Sequence, residues 1–252
     1  MFKKGEPMGK KYKLTYQVPF YESDINHQIK LPHLLSFALQ VSSLQSESLG
    51  NTDDWILDNF NLVWVITDYE LDIKRLPRYA ETIEVETEAV AYNKLFCYRK
   101  FYIYGQDGQQ IIEISSTFVL MDYDTRKVVT VKDEIVAPYE SEKIKKLLRA
   151  PKYKALEEAE EALFHVRYLD LDMNGHVNNS KYLEWMYEAM DIEFLKTHVP
   201  KKIHLKYLKE IHYGKDIVTR IKQDGLISQH EIKIDQGLHA QAQIEWRERE
   251  EE

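Results

Sequence analysis

The chain has 252 residues, 44% of them hydrophobic and 30% charged, the balance of an ordinary soluble globular protein. Asp and Glu outnumber Lys and Arg by 42 to 34, and the resulting net charge of −8 argues against a nucleic-acid-binding face. The single cysteine, Cys97, excludes an intramolecular disulfide and points to a reducing, cytoplasmic setting.

The first residues, MFKKGEPMGKKYKL, are basic but lead into no apolar run, so they do not read as a secretory signal. No apolar stretch reaches the roughly 20 residues needed to cross a bilayer, so no membrane insertion is expected. A strand is predicted from Tyr12 to Phe20. After YESDINHQIK comes an apolar helix from about Leu31 to Leu49, with Pro32 in its first turn and Gly50 closing it. GNTDDWILDNFN reads as extra loop. Four strand candidates follow: LVWVITDYELDIKRL, the alternating ETIEVETEAV, the aromatic KLFCYRKFYIY, and QQIIEISSTFVLMDY after an Asp107-Gly108 hairpin turn.

Residues 137–161, rich in charge and with two prolines, read as a linker with a short helix over SEKIKKLL. The second half then repeats the first. ALFHVRYLDLD is a strand, MNGHVNN a turn, and Ser180 to about His198 a helix. Strands KIHLKYLKEIHY, KDIVTRIKQ, LISQHEIKI and LHAQAQIEW complete it. Asp24-Ile25-Asn26 recurs as Asp172-Met173-Asn174, and Tyr79-Ala80-Glu81-Thr82-Ile83 as Tyr213-Gly214-Lys215-Asp216-Ile217. The plan implies duplication, with an N-terminal domain over 1–136 and a C-terminal domain over 162–252. Both helices are too apolar to lie on a surface. A twisted antiparallel sheet wraps such a helix, so the expected fold is α+β: a double (tandem) hotdog, each half a twisted sheet around one long helix.

The run D-x-N-x-H-V-N-N-x-x-Y from Asp172 to Tyr182 resembles the acyl-acyl-carrier-protein thioesterases, bacterial tandem-hotdog type. So do LKYLKEIHYGKD at Leu205 to Asp216 and NLVWVITDYELDIKRLPRYAETIEVET in the first half. The resemblance implies hydrolysis of fatty acyl-carrier-protein thioesters in fatty acid biosynthesis. It carries the catalytic set onto Asp172, Asn174, His176 and Glu210, the last on a sheet strand. Plant members have a cysteine directly after the glutamate. Ile211 stands there, so a cysteine acyl-enzyme is not expected.

Thioester hydrolysis needs an attacking oxygen, a proton acceptor and oxyanion stabilisation. In an extended approach to the helix, residues 172, 174 and 176 would project to one side. Gly175 would permit the turn, and the free N–H groups of Val177 to Asn179 would face an oxyanion. Asn174 would hold water or carbonyl. His176 and Glu210 would handle the proton, and Asp172 would orient Asn174 or His176, or attack directly to form an anhydride. Taken singly, Asp172 and Asn174 also fit turn and capping roles. His176 also fits a structural histidine, and Glu210 a solvent-facing strand residue. No second ligand stands at metal spacing, so neither a metal nor a cofactor is expected.

In the first half Gln28 replaces His176 and Leu76 replaces Glu210, so that copy is expected to be catalytically silent and to form the acyl pocket, lined by Trp64, Ile66, Phe37 and Leu34. Plain core packing suits those four equally. IKKLLRAPKYK, DIKRLPR and PKKIHLK offer basic patches for an acidic acyl carrier protein. Homodimerisation stays open. Alternatives are an acyl-coenzyme A thioesterase, a hotdog dehydratase, or a binding protein that holds acyl thioesters without cleaving them.

Overall fold

A computed structural model describes residues 9–148 and 150–249. The first half comprises β1 (Lys11–Gln17), α1 (Leu31–Ser48), α2 (Asp53–Phe60), β2 (Leu62–Ile73), β3 (Thr82–Tyr92), β4 (Cys97–Tyr104) and β5 (Gln110–Asp122). The short strand β6 (Val128–Val129) and helix α3 (Asp133–Val136) follow, then β7 (Glu142–Lys143). The second half comprises β8 (Glu160–His165), α4 (Asn179–Glu188), α5 (Ile192–Thr197), β9 (His198–Tyr207), β10 (Asp216–Asp224), β11 (Ile227–Ile234) and β12 (Gly237–Glu248).

Ten strands form one continuous antiparallel sheet in the order β1-β3-β4-β5-β2-β9-β12-β11-β10-β8. The halves join where β2 pairs with β9, and opposite charges line that seam: Asp68 faces Lys206, and Lys202 Nζ lies 2.9 Å from Glu70. α1 packs on the first half of the sheet and α4 on the second, and the two helices touch. This is a double hotdog. α1 buries Leu31, Leu34, Leu35, Ala38 and Val41, a stripe at helical spacing, against the sheet. The main apolar cluster spans both halves, and a smaller one of Ile56, Leu62, Leu120 and Ile135 lies beneath α2.

Several elements differ from the sequence expectation. GNTDDWILDNFN holds α2, because the Thr52 side chain accepts from Trp55 N and caps it. The strand ending ALFHVRYLDLD stops at His165, and Tyr168–Asp170 form a 3₁₀ turn in which Asp170 accepts from Arg167. The second long helix is broken, because Asp191 accepts from Phe194 N and starts α5 afresh. SEKIKKLL is not helical: Glu142 and Lys143 form β7, pairing in parallel with β3. Arg149, in the linker's basic cluster, and the first eight residues lie outside the described residues.

Candidate active site

The duplicated turns superpose in their hydrogen bonding. Asp172 N–H donates to His176 O at 2.8 Å, and Asp24 N–H donates to Gln28 O at 2.8 Å. Asp172 Oδ1 accepts from the N–H groups of Asn174 at 2.8 Å and His176 at 3.3 Å. Asp24 Oδ1 accepts likewise from Asn26 and Gln28. Residues 172–176 therefore curl into a tight turn, instead of the extended run expected, and Gly175 takes the left-handed conformation that the turn requires (φ 77°). Asp172 acts on the backbone: one carboxylate oxygen shapes the loop that carries His176.

Glu210 does not lie on a strand. It sits just beyond β9, in a segment clamped from two sides. Leu208 and Lys209 N–H groups both donate to His239 O of β12, and Tyr182 Oη donates to Lys209 O at 3.3 Å. Val177 N–H donates to Ile211 O at 2.9 Å, and His176 and His212 form an isolated backbone bridge with their rings 5.0 Å apart. This pairing of turn and post-strand segment brings the two side chains together. His176 Nε2 lies 3.6 Å from Glu210 Oε2, longer than a hydrogen bond and within one small rotation of it. Tyr207 Oη donates to Asn179 O at 2.9 Å and packs edge-on against Tyr182, fixing the start of α4 to the end of β9.

Glu210 has a second partner. The guanidinium of Arg126, in the turn between β5 and β6 of the first half, pairs with Glu210 Oε1. Oε1 is thus taken by Arg126, and Oε2 faces His176. Arg126 gave no sequence signal, because an arginine in an Asp-Thr-Arg turn reads as solvated surface. The matching turn of the first half is arranged in mirror fashion. Arg249, beyond β12 of the second half, donates to Gln28 Oε1 at 2.5 Å. Leu76, opposite Glu210 in the repeat, is buried.

Asp172, Asn174, His176, Asn179, Glu210 and Arg126 all line one cavity of about 720 Å³. It extends into the first half between α1 and the sheet, past Trp64, Ile66 and Phe118. Leu34 and Phe37 lie elsewhere. Leu34 is on the sheet-facing stripe of α1, inside the core, and Phe37 stacks on Tyr16 at 4.1 Å. The N–H groups expected to meet an oxyanion are mostly committed: Val177's to Ile211 O and Asn178's to Asp170 O. Among the described residues only the Asn179 N–H of the three remains for a ligand, alongside the exposed amide of Asn174. Cys97 also faces the cavity, and burial pushes its thiol up to about 12, far from a reactive thiolate.

A long cavity with a histidine, a carboxylate and amide donors on one wall defines a hydrolase-like site in a tandem hotdog. Residues 9–139 match the family model for the acyl-ACP thioesterase N-terminal domain, and residues 153–248 match that for its C-terminal domain. The chain belongs to the acyl-ACP thioesterase family. It is 26% identical over 231 residues to the chloroplastic oleoyl-acyl carrier protein thioesterase of Coriandrum sativum, covering 84% of this chain and 62% of that one. It is 24% identical over 261 residues to the chloroplastic dodecanoyl-[acyl-carrier-protein] hydrolase of Umbellularia californica, covering 94% and 67%. The chain thus spans a little under two thirds of the coriander relative. A crystal structure from Lactobacillus plantarum, described as an oleoyl thioesterase, superposes with a TM-score of 0.91 at 31% identity, over 96% of this chain and 98% of that one.

Proposed function

We propose that this protein hydrolyses fatty acyl thioesters of acyl carrier protein and releases the free fatty acid. Family membership supports the activity, and the observation that carries it is the His176–Glu210 pair on the wall of an elongated cavity. In this mechanism the acyl chain enters the cavity of the first half, with Trp64 and Ile66 among its apolar contacts. The thioester carbonyl rests near the Asn174 amide and the Asn179 N–H. Glu210 Oε2 accepts the Nε2 proton of His176, which leaves Nδ1 as the acceptor for a proton from water. Water attacks the carbonyl carbon, and the two amide donors hold the oxyanion. The C–S bond then breaks, and His176 returns the proton to the departing thiolate. Losing one such donor costs roughly 3–4 kcal/mol of barrier.

Asp172 holds the turn and leaves the attack to water. Single turnover in heavy-oxygen water separates the two routes: label in the product fatty acid alone supports water attack, and label in Asp172 supports an anhydride. The first-half copy is silent in this account, since Gln28 exchanges no proton near neutrality and its amide oxygen is held by Arg249. The carrier docks along the linker. Lys145, Lys146, Lys152 and Lys154 are exposed there, and no ion pair among the described residues holds them. In the other basic stretches Arg75 pairs with Glu81 and Lys202 with Glu70. A cytoplasmic location suits this chemistry; no helix is long and apolar enough to cross a membrane among the described residues.

The test is thiol release from matched acyl-carrier-protein and acyl-coenzyme A thioesters. Faster release from the carrier protein, falling with added salt, supports the proposal. Equal or faster release from coenzyme A overturns the carrier assignment.

A further inference from the structure

The cavity changes character along its length. Ile66 on β2 pairs with Phe118 on β5, which pairs with Cys97 on β4, two residues before Arg99; Tyr207 on β9 lines the near end of the same cavity. Three strand spacings separate β9 from β4, roughly 14 Å along the sheet. Beyond the wall that carries His176 and Glu210, the middle of the cavity is aromatic and aliphatic, with Trp64, Ile66 and Phe118. The far end brings in polar groups: Ser42, Ser43 and Ser46 of α1 line the cavity with Tyr139, Ser141 and Arg99, among the small apolar side chains of Ala89, Ala91 and Val136.

Arg99 is only 8% exposed. Its Nη1 donates to Gln45 Oε1 at 2.6 Å and to Thr87 Oγ1 at 2.9 Å, both neutral acceptors. The guanidinium lies 5.3 Å from the ring centre of Tyr139, whose hydroxyl is 2.6 Å from Ser46 Oγ. Among the described residues no carboxylate forms an ion pair with Arg99, and its Nε and Nη2 make no hydrogen bond. Burial lowers its pKa to about 10, which still leaves it charged at neutral pH. A buried cation without a counter-ion is expensive in a pocket meant for hydrocarbon alone. A terminal methyl group brought against it leaves its free donors unmatched.

We infer that the far end of this cavity recognises an oxygen atom on the distal part of the acyl chain, with Arg99 as the specificity-determining residue. The inference deepens the acyl-thioester assignment above and rests on it. The class of substrate is a hydroxy- or oxo-acyl thioester, whose oxygen accepts from Nε or Nη2. Plain chains short of Arg99 are accepted, and plain chains that reach it are disfavoured, because a site built to hydrogen-bond an oxygen rejects the analogue lacking it.

The experiment measures kcat/KM on two matched series of acyl-carrier-protein thioesters, octanoyl to stearoyl, plain and hydroxylated near the methyl end. Wild type, Arg99→Met and Ser42→Val are compared. The expected result is a hydroxyl preference of about tenfold or more in wild type at lengths that reach Arg99. Arg99→Met abolishes that preference and raises the rate on long plain chains relative to octanoyl. Ser42→Val, which removes no buried charge, lowers the preference and stands in if Arg99→Met does not fold. The same series as free acids, bound to wild type and variants in titration calorimetry, gives an arm that needs no hydrolysis. A wild type that hydrolyses nothing yet binds hydroxylated acids through Arg99 defeats the thioesterase assignment and keeps the polar-end assignment. Equal treatment of plain and hydroxylated chains by wild type, or a preference unchanged in both variants, overturns the inference.

Discussion

Arg126 and Glu210 are paired across the two halves of the molecule: the first half supplies the guanidinium, the second the carboxylate. The reciprocal link, Arg249 to Gln28, runs the other way and ends in the copy that has Gln28 where the second half has His176. Two arginines thus cross between the halves. One braces the carboxylate beside His176, and the other holds Gln28 in the matching turn of the first half. The halves are coupled at the site as well as at the β2–β9 seam, which ties activity to their relative placement.

Arg126 touches no reacting atom, so it is a positioning residue. Arg126→Met is expected to lower kcat about 10- to 100-fold with KM nearly unchanged, the pattern of a lost transition-state contribution. Arg126→Lys restores part of the loss. Both side chains are about one-third exposed, so the effect on melting is small, within ~1 kcal/mol. Steady-state kinetics beside thermal melts check this. A KM effect without a kcat effect counts against it.

Asp24 and Asp172 make the same backbone hydrogen bonds. Replacing either by Ala removes a turn cap and is expected to destabilise the fold by a similar ~1 kcal/mol. Only Asp172→Ala abolishes turnover, because only its loop sets a histidine against Glu210; the first-half loop has Gln28 at that position and His27 where Gly175 stands. Equal losses of turnover contradict the asymmetry.

Much of this was legible in the sequence, and the misses share a cause. Alternation and turn signals marked the principal strands of both halves, and the recurrence of Asp-x-Asn exposed the duplication. The misses are three-dimensional. Nothing local says that Asp191 restarts a helix amid apolar residues, since Met190 and Ile192 continue the pattern. Glu210 reads as strand because its neighbours alternate, yet its backbone is drawn away by His239 and Tyr182. Leu34 and Phe37 share α1 with the cavity-facing serines, and only packing decides which face looks where. Arg126 meets Glu210 through a contact that no periodicity encodes.

Cys97 faces the cavity without nucleophilic character, its thiol held near pKa 12 by burial. At neutral pH almost none is thiolate. Cys97→Ala is expected to keep turnover within about twofold of wild type, and iodoacetamide at neutral pH is expected to inactivate slowly or not at all. Rapid inactivation that substrate protects against would restore a thiol mechanism.

His230 is buried on β11, with Nε2 2.8 Å from Ser228 Oγ, which in turn accepts from Trp246 Nε1. Burial lowers its pKa to about 3, below the unfolded value near 6.5. Between those values the unfolded chain binds the extra proton, so stability is full above about pH 6.5 and falls as pH drops toward 3. His230→Leu is expected to flatten this acid slope relative to wild type, read as melting temperature from pH 7 to pH 4. Parallel slopes in the two proteins contradict the assignment.

The most direct measurement is thiol release from an acyl-carrier-protein thioester by wild type, His176→Ala and Glu210→Gln, all confirmed folded by thermal melting. The account predicts brisk release by wild type and at least a hundredfold loss in each variant, about 3 kcal/mol of barrier. Wild-type-like release by either folded variant contradicts it.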